Sequence, residues 1–406
     1  MTVTGPCNAP DVVDVVALGE SMVTFLPSRP GRLADVPSFD RGIGGAESNV
    51  ACVLAAAGHT TRWISRVGAD GFGDHLVETI GGYGVDVSCV RRDPDRPTGI
   101  YFRTAGDRST DAHEVAYYRA GSAASAMSPD GVDLDAVRAG RVLHLSGITA
   151  ALSAGCLDLL RELTAPRPGR PLISFDVNHR PGLWRDTHGP EILLDLARGA
   201  DIVFVGEDEA EEVWGITGGP SPIREALPEP DTLVVKQGAR GATAFCRPPA
   251  GSTDTSRGQS CLQSPKGPGR CPQGDGGPPA RAKSGVGEGG RDGTPQAPGR
   301  ATPPHPAPAH EPALEVDVVA PTGAGDAFAA GFLSATLRGL PVRDRLRHGH
   351  LMAAAALTTP GDLAPPPTRA HADRLAALDD TAWGRLRLGP GWTQADAEAD
   401  EEVRTP

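Results

Sequence analysis

The sequence predicts an α/β fold in which a largely parallel sheet is covered by helices on both faces. Short, continuous apolar runs rich in β-branched residues alternate with segments of helical periodicity along most of the chain. Such runs are typical of strands buried on both faces, and parallel strands need crossover connections, which are usually helical. We therefore expect a ligand site at the carboxyl ends of the strands, where open α/β sheets bind their ligands.

The elements of this main layer follow from the apolar pattern. Strands are predicted at residues 12–18, 61–67, 142–145, 172–175, 202–205, 233–235 and 316–319. Helices are predicted at residues 49–57, 73–80, 157–163, 192–198, 208–214, 326–337 and 342–357. The first of these helices is followed by Gly58, and a glycine just past a periodic segment is a typical helix stop.

Three segments do not fit this alternation of strands and helices. Residues 21–26, 100–103 and 115–119 have the alternating pattern of half-exposed strands. We expect these segments, near residues 21–26 and 100–119, to form a small β-sheet that acts as a lid over the main site.

A glycine- and proline-rich segment interrupts the fold. Residues 248–312 contain 13 glycines and 14 prolines, and their only large aliphatic residues are Leu262 and Val286. Because such a segment has almost no apolar surface to bury, the entropy lost on ordering it is not offset. The sequence therefore predicts one domain made of residues 11–247 and 313–394, a disordered insertion at 248–312, and a flexible acidic tail at 395–406.

The charge balance and the cysteines narrow the functional class. The formal net charge is −12, which makes nucleic acid and anionic membrane surfaces poor partners. The first ten residues have no basic residue and no apolar core, so no secretory signal is expected. The seven cysteines are scattered and form no CxxC pair, which disfavours a disulfide framework and a zinc site. We expect a cytoplasmic protein whose partner is a small molecule.

One segment has the composition of an anion site. Residues 316–328 lead from an apolar run through Gly323, Ala324 and Gly325 into a helix that is expected to start at Asp326. Backbone N–H groups at a helix start favour an anion, and a carboxylate there can take a proton from a hydroxyl nucleophile. The segment lacks the GxxxxGK[ST] pattern of a Walker A loop. By spacing alone, a tight turn with Asp326 as the helix N-cap fits equally well.

Three separate motifs resemble the signatures of the ribokinase-like (pfkB) carbohydrate kinase family. They are residues 43–51 (IGGAESNVA), 66–73 (RVGADGFG) and 323–326 (GAGD). Within that family the chain is most similar to 2-keto-3-deoxygluconate kinases, through residues 96–102 (RPTGIYF), 117–125 (YYRAGSAAS), 143–148 (LHLSGI) and 175–184 (FDVNHRPGLW). The resemblance implies a ribokinase-like three-layer α/β/α domain with a β-sheet lid. It also implies transfer of the γ-phosphoryl group of ATP, with Mg²⁺, to a hydroxyl of a sugar acid.

The resemblance also implies roles for individual residues. Asp326 is implied to be the base, and the amides of Gly323, Ala324 and Gly325 are implied to form the anion hole. The residues implied to hold the substrate are Gly45, Asn49, Tyr101, Tyr117, Arg119 and Arg180. The residues implied to lie along ATP are Asn178, Arg180, Lys236, Gly238 and Gly241, and Glu209 is implied to help hold Mg²⁺.

The residue types at these positions are suited to binding a sugar acid, and each position also has a simpler structural interpretation. Arginine suits a carboxylate because its planar guanidinium donates several hydrogen bonds, and the neighbouring tyrosines offer ring faces and hydroxyls to a sugar. Arg119 also fits an exposed strand position, and residues 178–180 also fit a loop cap. Lys236, which is followed by two nearby glycines, also fits a simple β-turn, and we expect His179 to be a packing or surface residue.

Three features depart from the family pattern. Ala320 stands where the family usually has an aspartate linked to cation binding, and Gly206 stands where many members have the asparagine of an Asn-x-x-Glu motif. The insertion is the third departure. We expect altered activation by monovalent cations, and handling of Mg²⁺ that depends on Glu209 and water.

The sequence leaves three functions open, of which a sugar-acid kinase is favoured. A kinase of the same family acting on fructose, ribose or a nucleoside is the second. A non-enzymatic sugar- or nucleotide-sensing protein is the third; Ala320 favours it, and the retained Asp326 argues against it. The lid sheet also offers a surface through which two copies of the chain are able to form a homodimer.

Overall fold

The computed structural model describes residues 11–29, 31–104, 114–184, 188–247 and 307–394. Its strands, in chain order, are β1 (Val13–Leu18), β2 (Met22–Pro27), β3 (Phe39–Gly44), β4 (Thr61–Ile64), β5 (Arg66–Gly68), β6 (Arg91–Asp93), β7 (Ile100–Arg103), β8 (Val115–Tyr118), β9 (Gly140–Ser146), β10 (Leu172–Asp176), β11 (Ile202–Gly206), β12 (Thr232–Lys236), β13 (Ala242–Cys246), β14 (Ala309–Glu311), β15 (Glu315–Val316) and β16 (Arg387–Leu388). Its α-helices are α1 (Ala46–Ala56), α2 (Gly71–Gly82), α3 (Leu134–Arg138), α4 (Gly147–Ala150), α5 (Ala154–Thr164), α6 (Gly189–Arg198), α7 (Glu207–Trp214), α8 (Pro220–Ala226), α9 (Ala324–Leu337), α10 (Val342–Leu357), α11 (Arg369–Ala376) and α12 (Asp380–Trp383). No helix in these ranges has the length and apolar character that crossing a bilayer requires.

A sheet of eight strands forms the middle layer of the described chain. Its strand order is β14-β13-β12-β11-β10-β9-β1-β4. The six strands from β12 to β4 are parallel, whereas β13 is antiparallel to β12 and β14 is antiparallel to β13. The parallel strands therefore end at one edge of the sheet, which is where a ligand site is expected.

Alternate residues along the buried strands pack against different helices. On one face, Val16 and Phe175 belong to an apolar cluster that includes residues of α3, α5, α6, α7 and α8. On the other face, Val15 and Phe204 pack with residues of α1, α9 and α10. Because successive strand residues point to opposite faces, this pattern buries both sides of the sheet. It confirms the predicted three-layer α/β/α fold.

A second sheet contains the predicted lid strands. Its strand order is β3-β2-β7-β8, and β3 is an addition to the predicted elements. The ring of Phe25 on β2 stacks on Phe102 of β7 with centroids 4.9 Å apart, and Phe39 of β3 meets Phe102 edge-on at 5.1 Å. Phe102 also meets Tyr118 of β8 edge-on at 6.0 Å, so aromatic contacts link all four lid strands.

Two predicted main-sheet strands differ from the structure. The run at 61–67 is divided, so that β4 joins the main sheet while β5 pairs with β6. The run at 316–319 contributes only to β15, which pairs with β16 outside the main sheet. Val318 and Val319 are 41% and 38% exposed, and Val319 donates its backbone N–H to the carbonyl of Leu357 at 2.7 Å. The predicted main-sheet strand at 316–319 is wrong because a helix end, rather than a neighbouring strand, accepts this hydrogen bond.

The predicted end of the insertion at residue 312 is also wrong. Strand β14 lies inside residues 248–312 and pairs with β13. Its last residue, Glu311, is buried and forms ion pairs with Arg343 and Arg347 of α10. These ion pairs and the strand pairing order a segment whose composition favours disorder. Residues 248–306 of the predicted insertion, and the predicted tail at 395–406, lie outside the described residues.

Candidate active site

The glycine-rich turn precedes α9, which begins two residues earlier than predicted. Gly323 is the N-cap of α9 and has a φ of 81°, a left-handed conformation that favours glycine. A Cβ atom at this position would also collide with the backbone carbonyl of Asp362. Asp326 is the third residue of the helix, so the alternative in which it is the N-cap is wrong. The first backbone N–H groups of α9 are left for an anion.

Two distant motifs meet at Asp326. Asn49, in the first turn of α1, donates a hydrogen bond from Nδ2 to Asp326 Oδ2 at 2.8 Å. Asn49 Oδ1 is buried and has no hydrogen-bond partner among the described residues. A buried acceptor of this kind costs free energy unless a ligand or water satisfies it. The predicted substrate residue and the predicted base are therefore neighbours, with one polar atom left for a ligand.

The carboxylate of Asp326 has the pKa of a group that exchanges protons near neutrality. Burial raises its pKa to about 7, with a further contribution from the negative charge of Asp176. The hydrogen bond from Asn49 and the positive charges of Lys236 and Arg180 act in the opposite direction. A general base is most effective when its pKa lies close to the working pH.

A partly buried ion pair lies beside the turn. Lys236 ends β12, and its Nζ atom is 3.0 and 3.1 Å from the two carboxylate oxygens of Asp176 at the end of β10. Burial opposes the ammonium charge, but Asp176 and Glu209 outweigh it and the pKa of Lys236 is raised. A Cβ atom on Gly325 would lie 3.6 Å from Nζ, so this cation faces the anion-hole turn. The interpretation of Lys236 as a simple turn residue is therefore incomplete, because its charge lies next to the anion-hole turn.

Glu209 holds the loop that follows β10. Its Oε2 atom accepts the backbone N–H of Gly206 at 2.6 Å, and its Oε1 atom accepts that of His179 at 3.1 Å. The neighbouring Asn178 is buried and has a φ of 39°, a strained conformation for a residue other than glycine. Arg180 is exposed and donates to the carbonyl of His179 at 2.9 Å. Glu209 therefore holds the conformation of this loop through its hydrogen bond to the backbone of His179.

The carboxylate of Glu209 would suit a magnesium ion that also binds the phosphates of a nucleotide. The described ranges contain no group of three or more His, Cys, Asp or Glu residues suited to a metal ion. Mg²⁺ is usually bound through one or two carboxylates together with substrate phosphates, so it does not need such a group. Glu209 is the predicted ligand, and both of its oxygens also accept backbone hydrogen bonds.

The two glycines after Lys236 have different surroundings. Gly238 begins a 3₁₀ turn and has open space where a Cβ atom would lie. Gly241 has a φ of 120°, and a Cβ atom there would collide with the backbone of Glu311 in β14. Packing against β14 therefore accounts for Gly241, while Gly238 leaves the surface at the end of β12 open.

The predicted tyrosine Tyr101 is anchored by a residue that the sequence did not single out. Its hydroxyl donates to Asp362 Oδ2 at 2.5 Å. Burial and the neighbouring carboxylate raise the pKa of Tyr101 well above its usual value, so the hydroxyl remains a donor. Tyr117, in contrast, is 51% exposed, and its ring centroid is 5.4 Å from that of Tyr101. The two rings lie against each other, and the hydroxyl of Tyr101 donates to Asp362, whereas the hydroxyl of Tyr117 does not take part in this hydrogen bond.

Arg119 is largely buried and paired, and it lies just after β8, so its interpretation as an exposed strand residue is wrong. Its side chain is 9% exposed, and Nη2 forms an ion pair with the buried carboxylate of Glu20. The Nε atom is buried without a hydrogen-bond partner in the described chain. Gly45 packs close to the backbone of Glu20, which leaves no room for a side chain at 45. Glu20, like Asp176 and Asp362, is a site residue that sequence reasoning missed.

A fully buried acid lies near this pair. Oε1 of Glu47, on α1, accepts hydrogen bonds of 2.7 Å from Ser146 and Thr149, while Oε2 lacks a partner among the described residues. Burial raises the pKa of Glu47. The cation Arg119 therefore has two acidic side chains in its neighbourhood, Glu20 and Glu47.

Ala320 occupies the position at which an acid was expected. It is buried, and its backbone N–H donates to the carbonyl of Leu357 at 3.3 Å. A methyl group thus packs below the turn in place of a carboxylate.

Similar proteins identify the family. The pfkB family of carbohydrate kinases matches residues 13–255 and 307–369, on either side of the central part of the predicted insertion. A 2-dehydro-3-deoxygluconokinase from Thermoproteus tenax is 35% identical over 237 residues, which is 58% of this chain and 72% of that relative. A 2-dehydro-3-deoxygluconokinase from Bacillus subtilis (strain 168) is 32% identical over 361 residues, which is 88% of this chain and 93% of that relative.

A solved structure agrees with the sequence matches. The crystal structure of a PfkB protein from Polaromonas sp. JS666 is 29% identical, covers 89% of this chain and 99% of its own, and superposes with a TM-score of 0.66. The family match covers most of the chain, and the structure contains the three-layer domain, the lid sheet and the turn before Asp326. The chain therefore belongs to the pfkB family of carbohydrate kinases.

Proposed function

We propose that this protein transfers the γ-phosphoryl group of ATP to a hydroxyl of 2-keto-3-deoxygluconate or a closely related keto-deoxy sugar acid. The observation that carries the catalytic part is the hydrogen bond of 2.8 Å between Asn49 and Asp326 at the anion-hole turn. The names of the two relatives that are 32% and 35% identical support the substrate class.

Asp326 is the proposed base. Its carboxylate takes the proton of the sugar hydroxyl while the hydroxyl oxygen bonds to the γ-phosphorus and the bond from phosphorus to the ADP oxygen breaks. The amides of Gly323, Ala324 and Gly325 and the ammonium of Lys236 stabilise the charge on the transferring group. Mg²⁺ bound with the nucleotide supplies further neutralisation of phosphate charge. Asn49 holds the Asp326 carboxylate in place through Nδ2.

Nucleotide binding is proposed at the end of β12 and at the loop after β10. Lys236 and the open surface at Gly238 support this position, and Asn178 and Arg180 face the same edge of the sheet. Gly241 acts by allowing β14 to pack closely, and Glu209 acts by shaping the loop and offering a ligand to Mg²⁺.

The sugar acid is proposed to bind between the lid and α1. Gly45, Asn49, Tyr101 and Tyr117 provide the walls, and the carboxylate is bound by Arg180 and by the unpartnered Nε atom of Arg119. Arg180 is exposed, and its positive charge already acts on Asp326, which supports its place at the rim of the site.

One observation favours a second candidate, a kinase of the same family for a neutral sugar such as fructose or ribose. The charge of Arg119 is already balanced by Glu20, and Glu47 is a further acid close by. Acids in this position disfavour a substrate carboxylate by like-charge repulsion. Under this alternative, Arg119 positions polar lid groups rather than binding an anion.

A substrate panel separates the two candidates. The measurement is kcat/KM for 2-keto-3-deoxygluconate, fructose and ribose with ATP and Mg²⁺, on the wild type, on Arg180→Leu and on Arg161→Leu. A charge-assisted hydrogen bond contributes about 1.5–3 kcal/mol, so Arg180→Leu should lower kcat/KM for the acid roughly 10- to 100-fold. Arg161, which is exposed on α5, is the control and should leave all values unchanged. A wild type that prefers fructose or ribose refutes the sugar-acid proposal.

The proposal includes a cytoplasmic location and a homodimer formed through the lid. Two buried thiols, Cys52 and Cys156, are consistent with a reducing compartment. The dimer is supported by Tyr117 and Tyr118, which are 51% and 65% exposed on β8, the edge strand of the lid. Light scattering after size-exclusion chromatography tests it, and a monomer at micromolar concentration would contradict it.

A further inference from the structure

A buried carboxylate in the loop after α10 holds the lid. Asp362 is 8% exposed, and its Oδ2 atom accepts the hydroxyl hydrogen of Tyr101 at 2.5 Å. Its Oδ1 atom accepts a hydrogen bond of 2.6 Å from the guanidinium of Arg103. Both donors belong to the lid strand β7 and both are buried. Charge-assisted hydrogen bonds in a buried setting are strong and directional, so β7 and this loop are held in one arrangement.

The backbone of the same residue contacts the anion-hole turn. A Cβ atom added at Gly323 would collide with the carbonyl group of Asp362, which shows that the two backbones are in direct contact. The Asp362 carboxylate also lies against Gly44, just before α1 and Asn49. One residue therefore contacts β7 of the lid, the anion-hole turn and Gly44, which lies two residues before α1, the helix whose Asn49 binds Asp326.

We propose that Asp362 is a positioning residue that couples the lid to the anion hole. When β7 lies over the sugar, Tyr101 and Arg103 fix the carboxylate of Asp362, and its carbonyl then supports Gly323 in the conformation that presents the helix amides. This coupling of the lid to the anion hole rests on the proposed function only in its kinetic test, because hydrogen exchange needs no substrate. It assigns Tyr101 a role in assembling the site in addition to its contact with substrate.

The kinetic test compares two variants with a matched control. Asp362→Asn removes the charge but keeps the shape, and Tyr101→Phe removes one hydroxyl but keeps the ion pair with Arg103. Tyr83→Phe removes a hydroxyl from a tyrosine that is 38% exposed at the end of α2 and serves as the control. We expect the first two variants to lower kcat by about tenfold or more, at a temperature at which each is folded, while KM for ATP is unchanged. The control should match the wild type.

Hydrogen exchange provides a readout that needs no turnover. Tyr101→Phe should speed amide exchange in residues 320–326 as well as in residues 100–104, although the replaced hydroxyl belongs to the lid. Unchanged exchange in residues 320–326 overturns the coupling. A change confined to the lid segment does the same.

The outcomes distinguish the positioning role from the proposed substrate. A wild type that prefers a neutral sugar refutes the sugar-acid proposal, and the same variants are then compared with that sugar. Equal kcat for wild type and Asp362→Asn, or a lower melting temperature with unchanged kcat, overturns the role of Asp362. Because Asp362→Asn leaves Arg103 buried without its anion, that variant is the one at risk of misfolding. In that case Tyr101→Phe decides by kinetics and by exchange.

Discussion

Replacing Lys236 by methionine removes the cation that lies beside the anion-hole turn. The Nζ atom is 3.0 Å from Asp176 Oδ2, and a Cβ atom on Gly325 would lie 3.6 Å from it. A hydrogen bond to a charged group contributes about 1.5–3 kcal/mol, and about 1.4 kcal/mol corresponds to a tenfold change in binding or rate. We therefore expect Lys236→Met to lower kcat/KM for ATP roughly 10- to 100-fold.

The same change also affects stability, because Asp176 is left without its partner. The Asp176 side chain is 4% exposed, and breaking a buried ion pair by removing one member costs about 3–5 kcal/mol. The double variant Asp176→Asn/Lys236→Met removes both charges. We expect it to regain most of the lost melting temperature without regaining kcat/KM, which separates the structural from the catalytic effect.

Steady-state kinetics as a function of pH completes this test. The charge of Lys236 lowers the pKa of Asp326, so its removal should shift the acid limb of kcat/KM to higher pH. Wild-type kcat/KM for ATP in the double variant would refute the role of Lys236. An acid limb that stays at the wild-type pH in the single variant would refute its electrostatic contact with Asp326.

Three further predictions concern the wild type, the insertion and Ala320. For the wild type, kcat/KM should fall about tenfold per pH unit below about 7, because only ionised Asp326 accepts a proton and burial raises its pKa to about 7; a flat profile through neutrality contradicts this. Replacing residues 256–306 by a short Gly-Ser bridge should leave the melting temperature and activity unchanged, whereas replacing residues 248–312 should lower the melting temperature because it removes β14 and the ion pairs of Glu311. Equal melting temperatures of the two deletions would show that β14 adds no stability. Ala320→Asp should raise kcat or introduce a dependence on K⁺, and identical rates in several monovalent salts would show that the site is adapted to alanine.

The order of elements was predictable because each depends on local patterning. The strands from β9 to β12 and the helices of the main layer follow from runs of apolar residues, and the motifs around Asn49 and Asp326 mark the site. The turn at Gly323 was also readable, since a left-handed residue before a helix favours glycine.

The charge partners were not predictable, because they depend on long-range contacts. Glu20, Asp176 and Asp362 are ordinary acids in the sequence, and only the fold brings each one to Arg119, Lys236 or the lid. Asp176 left a usable signal, since it follows a buried strand at the carboxyl end of the sheet. Glu20 and Asp362 left none.

The end of the insertion was misjudged for a related reason. Residues 307–312 are rich in proline, which by composition favours disorder. Their order depends on pairing with β13 and on the ion pairs of Glu311 with two arginines of α10, which lie more than thirty residues later. Composition alone contains no information about such partners.

The measurement that tests the catalytic account most directly is the turnover of Asp326→Asn. Asparagine keeps the shape of the side chain and its contact with Asn49 but does not accept the proton of the sugar hydroxyl. Loss of a general base typically lowers kcat by about 10²- to 10⁴-fold, and we predict a loss in this range with unchanged binding of ATP and sugar in calorimetry. Turnover equal to that of the wild type, under conditions in which both substrates bind, would show that Asp326 is not the base.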